Sequence, residues 1–355
     1  MCGYTITALL ARLFSGYIVD CFPRKKVLVL CYALFALFFA GYLIAPTVLL
    51  FAIVRTLHGI PFGATTVSNS TVMIDSLPSS RRTEGIGYYG ISNNIAMAIG
   101  PTCGITLYHA TNNFTLLFSL SLAIALLGLI IDSTVKCRYR TPVKGKMPVS
   151  LDRFFLINAI PESITIVCMA FPFGIISTYL AIYSRDILNN SSATGIWFAV
   201  LSLGLIMSRI VGAQSLKKGR IVQNASFGVS VSLIGYFLFV ALPNEIGYYA
   251  SAVCVGLGNG HLWPAMQNMF INLTDNSRRG TANSTLLVAW DAGIGAGVIL
   301  GGVISENNAY SAAFWTGVAV NAIGVFYYWM ISKKHYLMNK IQATTELTEV
   351  ALNHK

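Results

Sequence analysis

Ionisable side chains are scarce in this sequence, and a few stand where they could carry protons. Two of the 13 acids, Glu162 and Asp291, fall deep within long apolar segments. A carboxyl group in apolar surroundings can exchange a proton at working pH, so both are predicted as proton-coupling candidates. The alternative is that an arginine ties each carboxylate down for structure alone. A further acid, Asp20, precedes the cations at 24–26 in a short charged stretch between two apolar runs.

The elements that must position these residues are predicted to be membrane spans. Of the 355 residues, 55% are hydrophobic and only 10% are charged, whereas soluble proteins carry about 25% charged residues. Apolar runs of about 20 residues, the length that crosses a bilayer, recur along the chain. We therefore predict an all-α polytopic membrane protein, because spanning backbone must bond internally. Eleven spans are predicted, near residues 1–20, 27–45, 48–75, 85–108, 114–133, 154–183, 194–215, 222–242, 247–272, 283–304 and 311–332.

The distribution of the net charge of +11 indicates topology rather than a nucleic-acid partner. Most cations fall in alternate loops and in the C-terminal tail, while the opposite loops hold only Arg185. This positive-inside bias predicts cytoplasmic basic loops and a cytoplasmic C-terminus in a multi-pass plasma (inner) membrane protein. Arg12, Arg55 and Arg209 are the cations inside spans. The seven cysteines are scattered, so neither a metal site nor a disulfide framework is expected.

The chain repeats itself with a period near 197 residues. The matching segments are Gly59–Gly63 with Gly256–Gly260, Ser80–Arg82 with Ser277–Arg279, Gly100–Gly104 with Gly297–Gly301, and, at 196, Gly16 with Gly212. Two parallel halves related by an axis along the membrane normal would produce this pattern. The predicted division is an N-terminal bundle at 1–133, a cytoplasmic linker at 134–153, a six-helix bundle at 154–332 and a cytoplasmic tail at 333–355.

The second half has six predicted spans and the first has five. The partner of the span near 154–183 would precede Met1. We therefore expect the natural protein to carry about 40 further residues at its N-terminus, which would supply one more span of about 20 residues. The alternative is an eleven-span protein with an external N-terminus.

Two halves, a long central loop and the pattern Gly16-x-x-x-Asp20-x-x-x-Arg24-Lys25 resemble the major facilitator superfamily, whose members have 6+6 spans. Within it, the chain is most similar to the drug:proton antiporter branch. The resemblance implies that Gly16 lets helices approach closely and that Asp20 and Arg24 form a charge relay that stabilises a gate. Pro23 departs from the usual motif. The alternative is that these charges only set topology.

A second motif, Arg55-Thr-Leu-His58-Gly59, is similar to the Arg-x-x-x-Gly motif of the family. The resemblance implies that Arg55 takes part in proton coupling, since an arginine within a span normally faces a cavity or an acid. His58 stands where the family often has glutamine, and we expect it to be neutral and hydrogen-bonded.

A third motif, formed by Gly87, Gly100, Pro101 and Gly104, resembles the motif that distinguishes antiporters in this superfamily. Small residues at this spacing let helices pack closely, and Pro101 is expected to bend its helix. Generic small-residue packing is the alternative.

Polar and aromatic residues within spans are candidates for a substrate cavity, namely His58, Asn69, Asn94, His261, Trp263 and Trp290, with Phe173 and Trp197 as weaker candidates. His261 could touch substrate or could bond a neighbouring helix. Asn94 stands 197 residues before Asp291, so the two halves are electrically unequal.

These patterns predict a secondary transporter that exports small organic compounds in exchange for protons by alternating access. A sugar or metabolite transporter of the same superfamily is the nearest alternative, and a non-transporting membrane sensor is a more distant one. No Walker motif or catalytic constellation is present in the sequence, so neither ATP drive nor an enzyme is expected. The expected partners are a small-molecule substrate, protons and the lipid bilayer, without cofactor, metal or nucleic acid, and the protein is expected to work as a monomer.

Overall fold

The computed structural model describes residues 2–78, 81–137, 151–188, 193–305 and 310–341. These residues form the helices α1 (Cys2–Cys21), α2 (Arg24–Leu43), α3 (Val48–Ser76), α4 (Arg82–Thr111), α5 (Phe114–Thr134), α6 (Leu151–Phe154), α7 (Ile160–Leu188), α8 (Ala193–Lys217), α9 (Ile221–Ala241), α10 (Glu245–Asn272), α11 (Arg279–Ile304), α12 (Tyr310–Tyr327) and α13 (Lys333–Asn339). A π-helical segment, Tyr328–Ser332, joins α12 to α13.

Each predicted span coincides with a long helix, and the described residues contain no strand. The prediction of an all-α fold is therefore confirmed. Eight helical segments of the described chain are long and apolar enough to cross a membrane. The other predicted spans lie on α1, α4 and α10, which are 20, 30 and 28 residues long. α10 buries most of its length against other helices, so it does not need an apolar surface facing lipid.

The ends of the helices, like the spans themselves, follow the internal repeat. Thr47 caps α3 by accepting a hydrogen bond from the amide of Leu50, at 3.2 Å. Asn244, one repeat later, caps α10 by accepting from the amide of Gly247, at 2.9 Å. A polar side chain at this position satisfies one of the free N–H groups at the start of a helix. Equivalent helices thus start at equivalent sequence positions.

The same helix pairs pack in both halves. α1 and α2 pack on α3, and α2 packs on α5. One repeat later, α8 and α9 pack on α10, and α9 packs on α12. The second half has the larger core, with Phe270 and Trp197 fully buried in its two apolar clusters.

The two halves differ in the packing of one helix. In the second half, α7 packs along α11 and α12. In the first half, no described helix packs along α4 and α5 in the corresponding way. α5 buries only Ala125, and no atom of the described residues lies within 4 Å of a Cβ added to Gly100 on α4. The span expected before Met1 remains a prediction, as does the division into bundles, linker and tail. Residues 138–150 and 342–355, in the predicted linker and tail, lie outside the described residues.

The predicted orientation can be tested at the two ends of α9, where Lys218 and Glu245 are both exposed. In a cysteine-free background, we expect an impermeant maleimide to label Glu245→Cys in intact cells. Lys218→Cys should react only after permeabilisation, because the positive-inside rule places its loop in the cytoplasm. The reverse labelling pattern would show the opposite orientation.

Candidate functional site

The carboxylate of Asp20, in the last turn of α1, caps the first turn of α11. It accepts hydrogen bonds from the backbone amides of Gly280 and Thr281, both at 2.8 Å, and from the Thr281 hydroxyl at 2.9 Å. A negative charge at a helix N-terminus is favourable because the free N–H groups and the helix dipole both attract it. This single side chain therefore joins the first half of the molecule to the second.

Arg24, at the start of α2, connects Asp20 to a second carboxylate. Its Nη2 donates to Asp20 Oδ1 at 2.8 Å and its Nη1 contacts Asp75 at the end of α3. Arg279 of α11 reaches Asp75 from the other half, with 3.1 Å between Nη1 and Oδ1. We call Asp20, Arg24, Asp75 and Arg279 the charge cluster, and the end of the molecule where it lies the basic side.

Asp75 was not among the predicted site residues. Its signal in the sequence is an acid in the last turn of an apolar segment, close to the cations at 81–82. Lys25, which was predicted with the gate, points elsewhere. It donates to the carbonyl oxygen of Val135, just beyond α5 in the same half, so it does not join the halves.

Close approach of α1 and α11 depends on glycine. A Cβ added to Gly16 would lie 2.7 Å from Cβ of Ser284 and 2.9 Å from the carbonyl oxygen of Gly280. Both distances are shorter than a normal contact between non-bonded atoms, which is about 3.5–4.0 Å for two carbons. The Ser284 hydroxyl in turn donates to the carbonyl oxygen of Arg12. This contact extends the junction of the halves from the basic side into the membrane.

An ion pair between Arg12 of α1 and Asp291 of α11 lies further along the same junction. Arg12 is eight residues before Asp20, or about 12 Å along the helix axis at 1.5 Å per residue. Its Nε donates to Thr66 Oγ1 at 3.3 Å. The two charged side chains are 8% and 17% exposed. Asp291 is thus both deep within its span and tied to an arginine, while its role in proton coupling stays a prediction.

The prediction that Glu162 lies deep within a span is wrong. Glu162 occupies the first turn of α7, and its Oε1 is 3.0 Å from Nδ1 of His335 on α13. The carboxylate is buried because α13 and the π-helical segment cover it, with Ser332 donating to the carbonyl oxygen of Pro161. The sequence placed the residue within an apolar run but could not show which end of that run another helix covers.

Arg55 and His58 lie in a polar group within the first half. The Arg55 guanidinium carbon is 4.2 Å from the centre of the Tyr4 ring, and its Nη1 is 3.4 Å from the Tyr42 hydroxyl. The same hydroxyl is 2.7 Å from Nδ1 of His58, which is buried among phenylalanines, including Phe38. A cavity of about 530 Å³ opens beside Arg55, Tyr4 and Tyr42.

Two candidate cavity residues of the second half are packing residues instead. His261 is buried, and its Nδ1 is 3.0 Å from Oδ1 of Asn224 on α9. Trp197 is fully buried and donates to the hydroxyl of Ser251 at 3.1 Å. Of the two interpretations drawn from the sequence for His261, the structure supports a bond to a neighbouring helix.

The remaining aromatic candidates lie together. The rings of Trp263 and Trp290 are 5.3 Å apart, and that of Phe173 is 6.1 Å from Trp290. Trp290 is the neighbour of Asp291 in sequence. Asn69 is half-buried on α3. Asn94 belongs to α4, but its side chain lies outside the described part of the chain.

The glycines of the third motif do not pack as expected. Gly87 is buried. In contrast, Gly100 faces open space, and the nearest atom to a Cβ added at Gly104 is 3.9 Å away, on Leu117. The expectation of close helix packing is wrong at these two positions because no described helix lies along that face of α4. The side chain of Pro101 is outside the described residues.

The tight junction at Gly16 generates a prediction. Gly16→Val should push α1 away from α11, because its added atoms would overlap Ser284. With Ser284→Cys as a buried reporter in a cysteine-free background, maleimide labelling in membranes should rise several-fold. Gly100→Val serves as the matched control and should leave the reporter protected, since that position faces open space. Unchanged protection in the Gly16 variant would contradict the close contact.

Comparison with known proteins agrees with this architecture. The chain is 24% identical to the staphylopine export protein of Staphylococcus aureus over 86% of this chain and 79% of that protein. It is 30% identical to a Na(+), Li(+), K(+)/H(+) antiporter of Planococcus maritimus, over 36% of this chain and 31% of the antiporter.

Solved structures share the fold at low sequence identity. The human organic anion transporter MFSD10 superimposes with a TM-score of 0.76 at 17% identity, covering 92% of this chain and 82% of the other. FucP of E. coli, in the outward conformation, gives 0.75 at 12% identity, covering 92% and 87%. The family model of the Major Facilitator Superfamily matches residues 1–260 and 225–352. The chain therefore belongs to the Major Facilitator Superfamily of membrane transporters.

Proposed function

We propose that this transporter exports small organic compounds in exchange for protons, and that Asp291 carries the proton. The observation that supports this most directly is the ion pair between Arg12 and Asp291. It joins the two halves within the membrane, so any event that neutralises Asp291 acts directly on the contact between them.

Protonation of Asp291 would remove the counter-ion of Arg12. Breaking a buried ion pair by removing one partner costs about 3–5 kcal/mol, because the remaining charge is left uncompensated. Separation of α1 from α11 lets water reach Arg12 and relieves that cost. Proton binding thus favours the state in which the basic side is open. A shift of this size approaches the about 5.5 kcal/mol that moves a two-state equilibrium from 1:99 to 99:1.

The direction of transport follows from the order of these events. With the basic side in the cytoplasm of a plasma-membrane protein, a proton from outside opens that side and then leaves into the cell. A cytoplasmic solute enters, the ion pair reforms, and the halves close behind it. The names of the export protein and the cation/proton antiporter to which the chain is similar support export and antiport. The cycle uses the proton gradient without a cofactor and requires one copy of the chain.

The test is proton movement in proteoliposomes that contain the reconstituted protein. Adding a transported solute should drive protons in the direction opposite to the solute. Asp291→Asn should reduce this flux at least tenfold, because an amide cannot bind the proton. Asp132→Asn, the same substitution near the end of α5, is the matched control and should retain the flux.

Other outcomes would revise the proposal in defined ways. If proton and solute moved in the same direction, the protein would be a symporter. If Glu162→Gln abolished the flux while Asp291→Asn preserved it, proton coupling would belong to the contact between α7 and α13.

A further inference from the structure

Arg209, in the middle of α8, is a buried arginine whose Nε and Nη1 make no hydrogen bond to any described residue. The residue is only 4% exposed. It lies eight residues before Lys217, the last residue of α8. At 1.5 Å per residue this places it about 12 Å from the basic end of its helix. A charged side chain at this depth is expensive when two of its donor nitrogens lack an acceptor among the described residues.

The Arg209 guanidinium lies at the second junction between the halves, where α8 packs against α4. A Cβ added to Gly90 of α4 would lie 2.6 Å from its Cζ. Glycine at this position lets the guanidinium rest directly on the backbone of α4. Opening of the basic side, as proposed above, would separate these two helices and expose Arg209 to that side.

The internal repeat shows what this junction lacks. Arg209 lies 197 residues after Arg12, and Asn94 lies 197 residues before Asp291. The α8–α4 junction therefore corresponds to the α1–α11 junction, where Arg12 pairs with Asp291. No carboxylate of the described residues pairs with Arg209, and the sequence has a neutral amide at the position that corresponds to Asp291. Within the described part of the chain, one junction is electrically neutral, and the other carries a positive charge that no carboxylate balances.

We infer that Arg209 binds a carboxylate group of the transported solute, which makes the substrate an organic anion. A guanidinium is well suited to oxyanions, since its donors match their geometry and it stays charged. The α8–α4 junction lacks one negative charge. A single carboxylate supplies that charge, whereas a phosphate monoester carries about two negative charges. A bound carboxylate completes the α8–α4 junction just as Asp291 completes the other. This inference rests on the proposed function only in requiring that the basic side opens.

The inference can be tested by binding alone, without a proton gradient. The probes are small carboxylic acids, the neutral amides of the same skeletons, and inorganic phosphate. Ligand binding raises the midpoint of thermal unfolding by mass action. We expect acids, but neither their amides nor phosphate, to stabilise the purified protein in detergent. Arg209→Gln should weaken acid binding at least tenfold, and Arg220→Gln, at the exposed start of α9, should leave it unchanged.

A second variant covers the case in which Arg209→Gln does not fold. Arg209→Lys keeps the charge but loses the planar guanidinium, so it should retain selectivity for acids with a lower affinity. Amides that bind as well as their acids would overturn the inference, and so would acid binding that survives Arg209→Gln. If Arg209→Gln fails to fold, an Arg209→Lys variant that binds acids as tightly as the wild-type protein would overturn the inference. A panel in which no acid stabilises the wild-type protein would also overturn it. Because no proton movement is measured, these outcomes are independent of whether Asp291 couples transport to protons.

Discussion

A charge at the contact of the two halves needs a counter-charge or a helix end, and at the α1–α11 junction the opposite half supplies it; this requirement organises the structure. Asp20 binds the first amides of α11, Asp75 receives arginines from both halves, and Arg12 meets Asp291. Each of these contacts is largely removed from water, so neutralising one partner leaves the other uncompensated and is costly. These charged contacts join the halves together with two small apolar clusters, in which Leu287 packs against Val19 and Ile271 packs against Ile74.

Close backbone approach is the second condition for these contacts. Gly16 and Gly280 allow α1 and α11 to approach until the Asp20 carboxylate reaches the helix end. Gly90 allows α4 to lie directly on the guanidinium of Arg209. Small residues and charged residues therefore act together, since a glycine permits the distance at which a charge becomes effective. At Gly100, where no helix approaches, the same residue type has no such effect.

The scaffold is nearly symmetric while its charges are not. Equivalent helices pack in the same pairs and start at equivalent caps, yet only Arg12, of the two repeat-related arginines, meets a carboxylate in the described part of the chain. A symmetric pair of halves can rock with little internal change. Under the two proposals above, these unequal charges would make one junction respond to protons and the other to an anionic solute.

The sequence by itself determined the helical membrane fold, the positions of the spans and the internal repeat, because apolar length and loop charge are local properties. The signal for the Arg12–Asp291 pair was also present, since an arginine inside a span needs an acid and few acids were available. Only the tertiary structure decided which charges meet. It placed Glu162 under α13, drew Asp75 into the charge cluster and tied His261 to Asn224. It left Arg209 without a carboxylate among the described residues. The sequence could not decide these points because such contacts join residues far apart in the chain.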